Sequence, residues 1–212
     1  MEKMKIAGIT GTYCAGKNHV ALILEKRGFP VLDLDKLGHQ VIETEKDRIL
    51  ARFGEDIRGE DGLINRKKLG AKVFGNPEEL AALEGIIHPA VNRETLDWIN
   101  SRKEKACFIN AALLHRSSAL PLLDVVIIVD APVQIRMLRA KLRDGLPWKE
   151  LFLRFQSQRE FTSQYFKQET DIYRVYNSSG LATSGFFSMG KVSRSIVLEN
   201  RISEILSLEG IT

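Results

Sequence analysis

A chain of 212 residues with 44% hydrophobic residues, 27% charged residues and six prolines carries enough apolar surface for one substantial core, which excludes global disorder and leaves room for one main domain with a subordinate helical piece. The formal charge of +4 suits an anionic ligand, but acids alternate with the lysines and arginines along most of the chain, so a nucleic-acid partner is not expected. Cys14 and Cys107 supply neither a disulfide framework nor a zinc quartet and fit a reducing, cytoplasmic setting, and the four histidines form no H-E-x-x-H pair.

The opening KIAGITG is too short for a signal-peptide core, and the apolar run LPLLDVVIIVDAPV is interrupted by Asp124 and Asp130, so no membrane contact is expected. Residues 5–10, KIAGIT, form an apolar run of the kind that a strand buried on both faces shows. GTYCAGKN follows: Gly11, Thr12, Tyr13, Cys14, Ala15, Gly16, Lys17 and Asn18 satisfy G-x-x-x-x-G-K-[ST] at every specified position but the last. The two glycines let backbone N–H groups curl inward, and the helix predicted from His19 to Arg27 adds the positive end of its dipole, which together make an anion cradle. Lys17 reaches the outer phosphates in this reading. The hydroxyl normally found at position 18 ligates magnesium; the Asn18 amide oxygen is also a hard ligand, set one atom farther out, so Asn18 is the candidate metal ligand in either altered or weakened form. Cys14 either fills the loop or reacts with electrophiles.

Gly28 ends the first helix, and FPVLDLD supplies a second strand with Asp33 and Asp35 at its carboxyl end, where open α/β sheets bind ligands. Two readings of these carboxylates stand: one orients the other or takes a proton from an attacking hydroxyl, or Asp caps the helix that KLGHQVI begins. Strand, glycine loop, helix and strand make a βαβ unit and hence a parallel sheet. Residues 40–104 hold several short helices, and Pro89 is expected to divide PEELAALEGIIH from PAVNRETLDWINSRK. His88, at that break, caps carbonyls or touches substrate.

Further strands are predicted at 106–110, 124–130 and 171–176, with a helical stretch at 132–168. Arg136, Arg139 and Arg143 share a helix face, Lys141 sits nearby, and Arg154 and Gln158 lie one turn apart; the group is either a solvated face or a basic lid over phosphates. Residues 178–191 read as a glycine- and serine-rich loop, and the final helix, Ser193 to Leu206, is expected to bury Ile196, Val197, Ile202 and Ile205. Trp98 and Trp148 are expected to pack between helices.

GITGTYCAGKN, DLDKLGHQV, FGEDI with DGLINRKKLGAKVFGNPEELAALEGIIHPAV, Ala112–Leu114, DVVIIVDAP, RDGL, Arg154, Gln158 and YNSSG together resemble, in order, the dephospho-coenzyme A kinase family of phosphate-loop kinases. The stretch from Phe53 to Val91 is the most specific part. The resemblance implies an α/β fold: a parallel five-stranded sheet flanked by helices, with a core over 1–39 and 105–212, a helical substrate domain over 40–104 and a lid at about 137–160. It implies transfer of the γ-phosphate of ATP, with magnesium or manganese, to the ribose 3′-hydroxyl of dephospho-coenzyme A, by a monomer or weak homo-oligomer. By position it makes Asp35 the general base with Asp33 beside it, Lys17 the phosphate clamp, and Arg143 and Arg139 lid cations. Asn177 to Gly180 neighbour adenine, and His88, Leu113, Leu114, Arg154 and Gln158 serve the acceptor. The chain departs from the family at Thr12 and Cys14, where glycines are usual, at Asn18, and in Asn110 to Arg116, where Arg116 replaces a carboxylate; residues 181–191 have no counterpart. A divergent active kinase is the first reading. A non-catalytic nucleotide- or coenzyme A-binding protein and a kinase for another small hydroxyl acceptor are the alternatives.

Overall fold

A computed structural model describes residues 3–156, 170–177 and 190–211, with side chains of 190–195 excepted. The chain forms two compact units, Met1–Val31 with Lys103–Thr212, and Leu32–Arg102.

The first unit begins with β1 (Lys5–Gly11), buried from Ile6 onward, then the phosphate-loop turn and α1 (Lys17–Lys26), which buries Val20, Ala21, Ile23 and Leu24. Gly28, at a φ of 85°, turns the chain toward β2 (Val31–Asp33), the strand in which the second unit begins.

That unit holds α2 (Leu34–Thr44), α3 (Lys46–Phe53), α4 (Arg66–Val73) and α5 (Pro77–Asn100). Short polar side chains start three of them: Asp33, Asn65 and Asn76 accept hydrogen bonds from first-turn amides of α2, α4 and α5. Two apolar clusters hold the helices, one around Ile49, Leu50, Phe53, Ile57 and Leu69, the other around Leu37, Val41 and Ala90.

Two expectations fail in this unit. The second strand stops at Asp33, and Asp35 lies in the first turn of α2, because the Asp33 carboxylate satisfies the Asp35 and Lys36 amides and so starts a helix. Pro89 does not divide the long helix; α5 runs through it. Pro89 and Gly85, whose carbonyl loses its helical partner, are both exposed residues. Leu83, Ile86, Ile87 and Val91 stay packed against the two clusters on either side of the proline. Helix packing thereby outweighs a local penalty of about 3 kcal/mol.

The chain returns to the first unit with β3 (Ala106–Asn110), β4 (Val125–Asp130), α6 (Val133–Asp144), α7 (Trp148–Gln156), β5 (Asp171–Tyr176) and α8 (Gly190–Leu208). The sheet is five-stranded and parallel in the order β2-β3-β1-β4-β5, with Ile6 opposite Cys107 and Ala7 opposite Val125. Its near-continuous apolar strands fit burial on both faces. One face packs on α1 and α8 through Ile9, Leu24, Phe108, Ile127, Leu198 and Ile202. In α8 the buried stripe is Leu198, Ile202, Ile205 and Leu206, and the expected Ile196 and Val197 are 48% and 63% exposed; they fall on the flank of a stripe whose phase Leu198 sets. Trp148, expected to pack between helices, is 52% exposed, with Lys141 Nζ 5.6 Å from the centre of its ring.

On the other face, a Cβ at Gly8 would lie 2.5 Å from Leu114 Cδ2 and 2.6 Å from Leu123 Cδ1, both buried side chains. Gly8→Ala is therefore expected to overpack the sheet and lower unfolding free energy by about 1–3 kcal/mol in urea denaturation; an unchanged midpoint would show that the two leucines have room to move.

Candidate active site

The turn between β1 and α1 is shaped from outside by side chains distant in sequence. Arg139 on α6 donates through Nη1 to the carbonyls of Cys14 (3.2 Å) and Ala15 (3.0 Å) and through Nη2 to the carbonyl of Asn177 (3.1 Å). Asn177, buried just past β5, donates from Nδ2 to the Ala15 carbonyl at 3.0 Å, and its own amide donates to the Asp130 carbonyl at 2.8 Å. In a trans peptide the N–H points opposite to the C=O. Tying the Ala15 carbonyl to Arg139 and Asn177 therefore turns the Gly16 N–H the other way, toward the ligand side of the loop.

Gly16 has φ 98°, and a Cβ there would lie 2.2 Å from Asn177 Nδ2, so only glycine permits this approach. Cys14 sits at φ 58°, the non-glycine residue with positive φ among those described. Burial pushes its thiol pKa up, against the lowering pull of Arg143, Arg139 and Arg136, which disfavours the thiolate. The Thr12 hydroxyl donates to Asp130 Oδ1 at 2.9 Å, fixing the loop's entry to the end of β4.

Lys17, the first residue of α1, directs its ammonium at two amides. Nζ lies 3.1 Å from Asn18 Oδ1 and 3.3 Å from Asn110 Oδ1, while Asn110 Nδ2 donates to Asn18 Oδ1 at 3.0 Å. Asn110 is buried at the end of β3 and Asn18 is exposed. The motif's usual hydroxyl is thus replaced by half of a neutral amide pair that also holds the phosphate-loop lysine. Among the described residues, no three His, Cys, Asp or Glu side chains group as a metal site. Asn18 Oδ1, a hard neutral oxygen, is the atom at the motif's metal-ligand position that would face a divalent ion.

The basic face is divided. Arg136, half-buried, donates to the Ala131 carbonyl at 3.0 Å, lies 3.9 Å from Asp130 and rests 5.1 Å from the centre of the Phe155 ring. Arg143 lies 5.2 Å from the centre of the Tyr13 ring and bonds Asp144 at 2.7 Å. Tyr13 Oη donates to Asp144, Arg154 Nη1 stands 3.5 Å from the same hydroxyl, and the Tyr13 and Phe155 rings meet edge to face at 5.4 Å. Tyr13, on the loop, is thereby the post that α7 is fastened to. Hydrogen bonds from Arg143 and Tyr13 hold the Asp144 carboxyl down to about 2, and burial with the Asp144 contact raises the Tyr13 phenol.

A family description for dephospho-CoA kinase matches residues 5–182. The chain belongs to the dephospho-CoA kinase family. The dephospho-CoA kinase of Treponema denticola is 30% identical over 205 residues, 92% of this chain and 88% of that protein. That of Dehalococcoides mccartyi is 36% identical over 160 residues, 73% of this chain and 81% of its own. A solved Thermus thermophilus structure superposes with a TM-score of 0.78 at 27% identity, covering 98% of both chains. The chain is accordingly a kinase, and among its described residues no helix is long and apolar enough to cross a membrane.

The structure brings together Gly11 to Asn18, Arg139, Arg143, Arg154 and Asn177 in the first unit. Asp33 and exposed Asp35 stand at the start of α2, and His88 is exposed within α5, not at a helix end. Leu113 is 49% exposed; Leu114 is fully buried against Gly8. His19 is exposed in the first turn of α1, and Gln158 and Gly180 lie outside the described residues. Sequence reasoning passed over Asp130 and Asp144 as partners of the loop. Asp130 ends a strand at the ligand edge of the sheet, which was the available signal; for Asp144 the signal was its place within RDGL.

The depressed Asp144 carboxyl fixes the sign of a pH effect. Its ordinary value is 3.8 and its folded value about 2, so its stabilisation is complete above the first and lost as pH falls toward the second. Asp144→Asn removes that titration, and the acid decline of Tm between roughly pH 4 and pH 2 is expected to be shallower than in the wild type; equal slopes would show that the carboxylate does not fasten α7.

Proposed function

We propose that the protein transfers the γ-phosphate of ATP to the ribose 3′-hydroxyl of dephospho-coenzyme A. Support comes from family membership and, above all, from one observation: the Cys14 and Ala15 carbonyls of the 11–18 turn are tied back by Arg139 and Asn177, beside a lysine at the head of α1. Such a turn binds anionic oxygens through main-chain N–H groups and the helix dipole. In this reading Lys17 leaves the amide pair to hold the outer phosphates, and Arg143 and Arg154, carried on the Tyr13 post, meet charge on the phosphoryl group as it moves. Asp35 takes the proton from the 3′-hydroxyl as its oxygen attacks the γ-phosphorus; the bond to the β-phosphate oxygen breaks and ADP departs. Asn18 Oδ1 would hold the divalent ion, magnesium or manganese, which when bound would supply positive charge to the phosphates. Asp33 supports Asp35 by capping the helix that carries it. His88 and Leu113 are assigned to the acceptor side.

A second reading, nucleotide binding without turnover, is favoured by the departure at position 18, where an amide oxygen bonded by Lys17 and Asn110 stands in place of the motif's hydroxyl. A single assay separates the two. Purified protein with ATP, magnesium or manganese, and dephospho-coenzyme A is expected to form coenzyme A. Asp35→Ala is expected to lower kcat by about 10²–10⁴ with a smaller effect on KM for ATP, as the loss of a general base does. ATP binding with no phosphate transfer under either metal would give the second reading precedence, and turnover of another small alcohol alone would replace the acceptor.

A further inference from the structure

The peptide between Ala15 and Gly16 is held from outside by two side chains: Asn177 Nδ2 and Arg139 Nη1 each donate to the Ala15 carbonyl at 3.0 Å. Glycine at position 16, with φ at 98°, makes rotation of that peptide cheap. A rotated peptide would present its carbonyl where phosphate oxygens need an N–H. The two contacts differ in kind. Arg139 carries a charge that acts on any bound anion, so its loss would change field and geometry together. Asn177 is neutral, and its loss would change the geometry with no change of charge. The residue is also anchored apart from its side chain: its N–H donates to the Asp130 carbonyl at 2.8 Å, and its carbonyl accepts from Arg139 Nη2 at 3.1 Å. Asn177 is buried, and Nδ2 stands where a Cβ on Gly16 would come within 2.2 Å of it. Because it bonds the Ala15 carbonyl, this Nδ2 lies on the side of the trans peptide opposite the Gly16 N–H, away from an anion that the N–H would hold.

We propose that Asn177 is a positioning residue for the phosphate loop, setting affinity for the triphosphate and not for the base. It acts through the Ala15 carbonyl and the Gly16 N–H and touches no reacting atom. The end of β5 thereby takes part in gripping the phosphates, although 162 positions separate Asn177 from Ala15. The inference rests on the nucleotide-binding reading of residues 11–18.

Asn177→Leu in the full chain nearly keeps the side chain's size and leaves the charge of the loop unchanged while removing the donor. Isothermal titration calorimetry in excess magnesium, without acceptor, gives dissociation constants for ATP and for inorganic tripolyphosphate. Both are expected to rise by the same factor, about three- to tenfold, as the loss of one hydrogen bond gives. The ratio of the two constants measures what base and ribose add. A ratio kept within about twofold of the wild type shows that their subsite is intact, which a general loosening of the unit would not spare. Weakening of ATP with tripolyphosphate unchanged places Asn177 at the base and overturns the proposal. So do unchanged affinity for both ligands, and a wild type that does not bind tripolyphosphate. Thermal melts accompany each protein. Should Asn177→Leu not fold, Asn177→Ala with the same two ligands decides, and failure of both to fold overturns the proposal in favour of a residue needed only for the fold. Coenzyme A formation by the wild type is followed separately. Equal weakening without product rejects the proposed function and leaves this inference standing, while product formation with weakening confined to ATP does the reverse.

Discussion

The nucleotide end of this protein depends on what holds three carbonyl oxygens. A tight turn that must present N–H groups to an anion has to dispose of its C=O groups on the opposite side, and a buried carbonyl without a partner costs about 1–3 kcal/mol. Arg139 and Asn177 meet that demand for Cys14 and Ala15, and Arg139 also holds the Asn177 carbonyl. The same clamp explains the backbone at Cys14. A left-handed conformation costs a side-chain-bearing residue about 1–2 kcal/mol, and hydrogen bonds from a guanidinium contribute about 1.5–3 kcal/mol each, so the clamp outweighs the strain. A glycine at that position would need no such compensation. Arg139 is therefore part of the loop's architecture as much as of its charge.

The basic residues of α6 and α7 then separate by role. Arg136 and Arg139 are tied to backbone carbonyls and partly buried, which leaves them as fixed charge behind the loop. Arg143 and Arg154 are exposed and meet at Tyr13, where Asp144 offsets their charge. Two like charges about 4 Å apart repel by roughly 4 kcal/mol at an effective dielectric near 20. An acid among the cations lowers that self-repulsion before nucleotide arrives.

The sheet was legible because a parallel strand covered on both sides has to be apolar along its whole length. The runs at 106–110 and 171–176 match β3 and β5, and the run at 5–10 stops one residue short of β1. What misled were local signals that tertiary structure or a single side chain reverses. Leu32, Asp33, Leu34 and Asp35 alternate like a strand, yet one Asp33 carboxylate facing two amides makes a helix start. Pro89 carries a breaker's local signature, yet apolar packing on both sides keeps α5 whole. In the site, Gly16, Lys17 and Asn18 were legible because the motif is contiguous. The contacts that give them meaning were not: Asn18 meets Asn110 across 92 positions, Arg139 meets Cys14 across 125, and Asn177 meets Ala15 across 162. No periodicity within one element encodes such a pairing.

Asn18 and Asn110 are best understood as one feature. With aspartate at 110 and asparagine still at 18, the Asn18 amide has to turn its own Nδ2 toward the carboxylate, which replaces the present contact of Asn110 Nδ2 with Asn18 Oδ1 at 3.0 Å. With serine at 18 and asparagine still at 110, the shorter side chain withdraws the acceptor that Nδ2 now bonds. The two side chains share one contact, so the effects of changing them are expected to be non-additive. A hydroxyl facing a carboxylate is one self-consistent arrangement around the phosphate-loop lysine, and an amide facing an amide is the other.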